Sequence, residues 1–189
     1  MPISKTALII FAKRPALGNG KQRLAHETSK EIAFEIAKNL LQTTLSTVKN
    51  FDGDIVISPS TAKDSEWSHA LLERPCISIP QREGKLGTRL MQVDREVRML
   101  GYTNNIFIGT DAPTLSLKHI KQVKDHLQHY QQAFIPATDG GVVLMASCVP
   151  WSKLEQIEWS TEKVFMQLKS ITVQQGLSCL LYTSPSPRD

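Results

Sequence analysis

Apolar positions fall into two alternating rhythms along the chain. Ala7–Ala12 (ALIIFA) is a short unbroken apolar run, the pattern of a strand buried on both faces. After a polar stretch, Ile32, Ala33, Ile36, Ala37, Leu40, Leu41, Leu45 and Val48 repeat at three and four residues, which predicts an amphipathic helix. Thr28, with Glu31 three residues on, reads as a capping box at its start. Asp54–Ser58 predicts a second strand, stopped by Pro59. Ser65–Glu73 predicts a short helix, and Cys76–Ile79 a short strand. From Gly87 on, Leu90, Val93, Val97 and Leu100 share one helical face, with Gly101 past its end. Asn105–Gly109 (NIFIG) is another buried strand. Ser116 caps a helix whose inner face is Leu117, Ile120, Val123 and Leu127. Ala133–Ile135 and Val142–Ala146 read as extended, and a last helix begins near Ser160 with Val164, Phe165, Leu168 and Ile171 inward.

Strands alternating with amphipathic helices predict an α/β layered fold with a mainly parallel sheet. No repeat or linker divides the 189 residues, so a single domain is expected. The segment Cys179-LLYTSPSPRD breaks the pattern. It resembles translated sequencing-adaptor read-through, so the expected domain is residues 1–178 and 179–189 a non-native tail; the alternative is a genuine Ser/Pro tail. Ligands of open α/β sheets sit beyond the C-terminal ends of the strands, which directs attention to the residues just after each one.

Composition narrows the picture little further. Hydrophobic residues at 41% and charged residues at 21% fit a folded globular protein. No apolar run is long enough to span a bilayer, and no secretory signal is visible. Cys76, Cys148 and Cys179 form neither a metal motif nor a disulfide framework, so a reducing cytoplasm is expected. The net charge of +4 is too small to argue for nucleic acid.

The charge distribution says more. Across the first 26 residues Lys5, Lys13, Arg14, Lys21 and Arg23 are basic and none is acidic. Four of these surround Gly18-Asn-Gly in the loop after strand one. Glycines that admit backbone N–H groups, with Lys and Arg to neutralise oxyanions, suit a phosphate cradle; a solvated basic loop is the alternative. A Walker A loop would need Gly at 15 and Ser or Thr at 22, where Pro15 and Gln22 stand. A dinucleotide fingerprint would need Gly at 23, where Arg23 stands.

Five segments in order then resemble one family. Leu8-IIFAKRPALGNGKQRLA is similar to its opening FAK-x-P-x-x-G-x-x-K-T-R-L signature. Gln81-REGKLGTRL, Ile108-GTDAPTL, Thr138-DGGVVL and Ile157-EWST are similar to its later segments. The family is the bacterial DUF2064 group of glycosyltransferase-A-like predicted transferases, the selenodomain-associated transferase type. The resemblance implies a Rossmann-like, three-layer αβα fold of the nucleotide-diphospho-sugar transferase kind. It also implies a transferase that takes a nucleotide sugar and a small-molecule acceptor. Departures are Gln22 for Thr, Ala112 for Cys, Thr138 for an acid and Val142 for an aromatic residue. The family continues beyond the point where the adaptor-like tail begins, so the domain is expected to be C-terminally truncated.

Roles follow as expectations. Lys13, Arg14, Lys21 and Arg23 would hold the nucleotide diphosphate, and Gln81, Gly84, Gly87 and Arg89 would complete the nucleotide site, Gln81 reading a base edge. Asp111, after strand NIFIG, would hold Mg²⁺ or Mn²⁺ against the diphosphate and serve catalysis, or else only organise its Thr-Asp-x-Pro turn. Asp139 would orient or deprotonate an acceptor hydroxyl or complete the metal site, unless Asp139-Gly140 is an ordinary hairpin turn. Trp159 would wall the acceptor pocket or pack at the helix start. His119, His126 and His129 read as a solvated helix face rather than a metal site. Two other readings share the layout: a nucleotidyltransferase joining an NTP to a phosphorylated small molecule, and a nucleotide-binding module without catalysis.

Overall fold

A computed structural model describes residues 5–17 and 29–181. Seven strands form one sheet in the order β3-β2-β1-β4-β6-β5-β7. They are β1 (Thr6–Ala12), β2 (Asp54–Pro59), β3 (Ile77–Ser78), β4 (Asn104–Ile108), β5 (Gln132–Pro136), β6 (Val142–Ser147) and β7 (Cys179–Leu181). The helices are α1 (Lys30–Val48), α2 (Ser65–His69), α3 (Leu86–Met99), α4 (Leu117–His126) and α5 (Val164–Gln174), with 3₁₀ turns at Ala62–Asp64 and Leu154–Gln156. The sheet is mainly parallel, as expected. β6 is the exception, running antiparallel to both β4 and β5.

Two cores follow from side-chain alternation along the strands. Leu8, Ile10, Ile55, Ile57, Ile106 and Ile108 face one way and pack on Leu41, Leu45 and Val48 of α1 and on Ile120 and Val123 of α4. Ala7, Ile9, Val56 and Phe107 face the other way, against Leu90, Val93 and Val97 of α3 and Val164 and Leu168 of α5. That is the three-layer arrangement that the family resemblance implies. No described helix is long and apolar enough to cross a membrane.

Several element ends differ from expectation for local reasons. Ser29 caps α1, its side chain accepting from the Ile32 N–H; Thr28, expected in that role, lies outside the described residues. α2 stops at His69, four residues before the expected Glu73. α5 starts at Val164 rather than near Ser160, because Ser160 holds a left-handed φ of 67° that a helix cannot contain. Ser116 does cap α4, and His119 returns the bond by accepting from the Ser116 N–H at 3.2 Å. Cys179–Leu181 pairs in parallel with Gln132–Phe134 as an edge strand, while residues 182–189 lie outside the described residues.

Candidate functional site

The strand order sets the sequence of functional groups along one edge of the sheet. The loops after β3 and β2 come first, then the end of β1, the end of β4, and the β5–β6 hairpin. Lys13 and Arg14 follow β1 and are exposed. Arg14 reaches Asp64 at 3.6 Å, and Asp64 also accepts from the Thr61 hydroxyl at 3.0 Å. Arg14 itself is exposed, and this single long contact holds it weakly enough to leave the guanidinium available to a stronger anion. Lys21 and Arg23, expected in the same cradle, lie outside the described residues.

Beyond β2 and β3 lies a cavity of about 620 Å³ that Gln81, Gly84 and Arg89 help to line. Gln81 is buried. Its amide Nε2 donates to the Ser58 carbonyl at 2.9 Å, and its Oε1 accepts from Arg89 Nη1 at 2.8 Å. The amide therefore fixes Arg89 against the end of β2, and the buried Nε–H of Arg89 finds no partner among the described residues. Gly84 turns the loop with φ of 124°, a conformation open to glycine. Gly87 is differently placed. It is buried in the first turn of α3, where a Cβ would lie 1.9 Å from the Leu154 carbonyl oxygen, so its missing side chain lets α3 close on the 3₁₀ turn. Trp159 joins this contact, donating from Nε1 to the Leu154 carbonyl at 3.0 Å.

A second cavity, of about 580 Å³, opens at the ends of β1 and β4 and the start of β6. Phe11, Leu86, Leu90, Phe107, Val142 and Trp159 wall it with apolar surface. Its polar lining comes from Asp139 and from Ser160, Thr161 and Glu162. Asp139 sits in the β5–β6 turn, and its Oδ1 accepts from the Gly141 N–H at 3.0 Å. The Asp-Gly pair is thus a hairpin turn and a cavity wall at once. The turn is docked on the start of α5: Phe165 N–H donates to the Gly140 carbonyl at 2.9 Å. Gly109 lines the same cavity, and the exposed Asp111 follows it by two residues. The mouth residues Ser160–Glu162 carry no sequence signature beyond the Trp-Ser-Thr of the resemblance. Phe11 and Phe107 read from sequence only as core.

His119 and His126 make local contacts, and His129 is exposed. His119 belongs to the cap of α4, and His126 Nδ1 lies 2.5 Å from the Gln122 carbonyl oxygen. No group of three or more His, Cys, Asp or Glu that could hold a metal occurs among the described residues. The carboxylate that follows β4 is Asp111, which is exposed; Mg²⁺ and Mn²⁺ that arrive with substrate phosphates take as few as one or two carboxylates.

Residues 41–161 match a family described as an uncharacterized protein conserved in bacteria, DUF2064. A comparison with curated proteins finds no match. Among solved structures, the chain is similar to a protein of Desulfovibrio desulfuricans G20 provisionally assigned as a nucleotide-diphospho-sugar transferase. The two share 22% identity and superpose with a TM-score of 0.86 over 96% of this chain and 80% of that one. It is also similar to CMP:2-keto-3-deoxy-manno-octonic acid synthetase complexed with CTP, at 12% identity and TM-score 0.56 over 96% of this chain and 90% of that one. A third likeness is to Rv0371c of Mycobacterium tuberculosis H37Rv in complex with manganese, at 12% identity and TM-score 0.56 over 96% and 88% of the two chains. At these identities the likenesses establish a shared fold.

Proposed function

The chain belongs to the bacterial DUF2064 family, and from that membership and its sheet edge we propose a metal-dependent transferase that moves a sugar from a nucleotide diphosphate to a small acceptor. The observation that carries this reading is the order of groups along the edge. The cavity of Gln81 and Arg89, the cations after β1, the carboxylate after β4 and the apolar cavity with Asp139 follow one another, as base, diphosphate and acceptor would. Gly84 lets the loop bend around a base, and Gly87 holds α3 in place below it. Lys13, Arg14, Lys21 and Arg23 would neutralise the diphosphate.

Asp111 would hold Mg²⁺ or Mn²⁺, which supplies charge stabilisation on the departing nucleotide. Asp139 takes the acceptor proton as the acceptor oxygen bonds to the sugar's anomeric carbon. The bond from that carbon to the diphosphate oxygen breaks, and its electron pair leaves with the nucleoside diphosphate. The reading includes a cytoplasmic setting, supported by the free thiols of Cys76 and Cys148.

The test is calorimetric titration of a panel of nucleotide sugars with Mn²⁺. One of them is expected to bind, and Asp111→Ala to weaken it by about tenfold or more, or roughly 1.4 kcal/mol. Absence of binding across the panel, or an unchanged Asp111→Ala variant, rules the reading out. Nucleotidyl transfer is the second reading, favoured by the likeness to the CTP-bound synthetase. Pyrophosphate released from an NTP and a sugar phosphate would establish it instead.

A further inference from the structure

The two cavities differ in chemistry, and the difference bears on the acceptor. We infer that the cavity walled by α3, the start of β6 and the loop before α5 takes an acceptor with an apolar ring face and no anionic group, a neutral polyol or an amine. The inference rests on the transferase reading above and adds a charge class to it.

Two observations carry it. The first is the wall. Phe11 and Phe107 meet edge to face with centroids 5.7 Å apart, and Trp159 is pinned by its bond to the Leu154 carbonyl. These rings are fixed before any ligand arrives, and fixed aromatic faces suit the C–H face of a sugar or another flat ring. The second is the sign of the charge. Asp139 and Glu162 line the cavity, and no Lys, Arg or His is among its described lining residues. Lys163 and Arg14 lie outside that lining, and Arg89 lines the other cavity.

Recognition of a phosphate or carboxylate takes Arg, Lys or converging N–H groups. Carboxylates instead accept from hydroxyl and ammonium groups and repel anions. An enzyme joining an NTP to a phosphorylated molecule would require the opposite lining.

Three probes that differ at one position test this on the full chain: phenyl β-D-glucoside, its 6-phosphate and its 6-amino-6-deoxy analogue, titrated by calorimetry at millimolar concentration. The neutral and amino probes are expected to bind, the 6-phosphate about tenfold more weakly. Glu162→Lys is expected to bring the 6-phosphate level with or ahead of the others; Gly140 packs on the Glu162 main chain, so the side chain is open to change. Trp159→Leu is expected to weaken all three alike. Equal or tighter binding of the 6-phosphate, binding of none, or an order untouched by Glu162→Lys overturns the inference. If the Lys variant does not fold, the ranking of the three probes by the unaltered chain decides. Nucleotide-sugar binding is titrated separately. A chain that ranks the probes as expected but binds no nucleotide sugar loses the transferase reading and keeps the cavity's selectivity; one that binds a nucleotide sugar and prefers the 6-phosphate does the reverse.

Discussion

Gly140 holds φ of 84°, and a Cβ there would lie 2.1 Å from the Glu162 carbonyl oxygen. Two separate demands meet at this residue. The turn needs a left-handed backbone, and the loop bearing Glu162 needs the space a side chain would fill. Gly101 supplies the comparison, because its φ is 91° and nothing lies within 4 Å of its would-be Cβ. Gly101→Ala is therefore expected to cost only the backbone term, about 1–2 kcal/mol. Gly140→Ala adds displacement of a docked main chain and should cost about 2–4 kcal/mol. Urea unfolding of the two variants checks the order. Because Gly140 seats Asp139 against the Ser160–Glu162 loop, its variant should also lose affinity for cavity ligands, and the Gly101 variant should not. Equal losses at the two positions would mean that the Glu162 loop yields freely and does not set the cavity's shape.

At the scale of elements, the antiparallel β6 brings its C-terminal end to the start of β4, and one buried charge cluster holds that junction. Asp94 of α3 is 1% exposed; it accepts from Asn105 at 2.7 Å, from the Trp151 N–H at 3.1 Å and from Arg98 Nε at 3.0 Å. Arg98 also donates to the carbonyls of Thr103, Ser147 and Val149. Removing one partner strands the other charge, so Arg98→Ala is expected to cost about 3–5 kcal/mol. Pairing Arg98→Met with Asp94→Leu should cost less than the two single changes together, which a double-mutant cycle in urea measures. None of this was readable from the residues, because Asp94 and Arg98 sit four apart on α3 like any solvent-facing ion pair. β1 was readable, since burial on both faces leaves an unbroken apolar run. α3 was readable through Leu90, Val93 and Val97, whose buried face leaves a three-four period, whereas Leu100, expected on that face, follows the helix and is exposed. The parallel strands were legible in the helices that separate them, and the antiparallel β6 in the turn preference of Asp139-Gly140. The first cavity showed through Gln81 and Arg89, which lie within one segment. Of the second, only Asp139 and Trp159 were read toward a pocket; its other walls come from residues 11, 86, 90, 107 and 142, and only the topology brings them together. Gly87 looked like a ligand-contacting glycine; the partner for its missing side chain is Leu154, 67 residues further along.

Across the whole molecule, the sheet separates function from one of its stability devices. The candidate site occupies the edge where the parallel strands end. At the opposite edge, where they begin, Lys5, Asp54 and Tyr102 meet. The Tyr102 hydroxyl donates to Asp54 Oδ2 at 2.7 Å, Lys5 lies 3.5 Å from the same oxygen, and its ammonium stands 4.1 Å above the Tyr102 ring. Burial, and then the bond to Asp54, push the Tyr102 phenol above its usual value; the phenol, and then Asp54, raise Lys5. Both groups hold their protons more tightly when folded. Their contribution is therefore complete below about pH 10 and is lost as pH rises through the folded-state values. Asp52 behaves oppositely: its bond to Lys124 lowers its pKa, so that contribution is present above the usual carboxylate range and fades as pH falls through the lowered value. Tyr102→Phe removes the phenol and with it the main cause of the Lys5 shift. At neutral pH the variant should be less stable by about 1 kcal/mol, the worth of one hydrogen bond. Above about pH 10 its deficit should shrink, because the unaltered protein then loses what the variant never had. Thermal unfolding from neutral to strongly alkaline pH, followed by circular dichroism, reads this directly, and parallel curves would count against it. Ligand binding at neutral pH should be the same in both proteins, because the cluster lies across the sheet from both cavities.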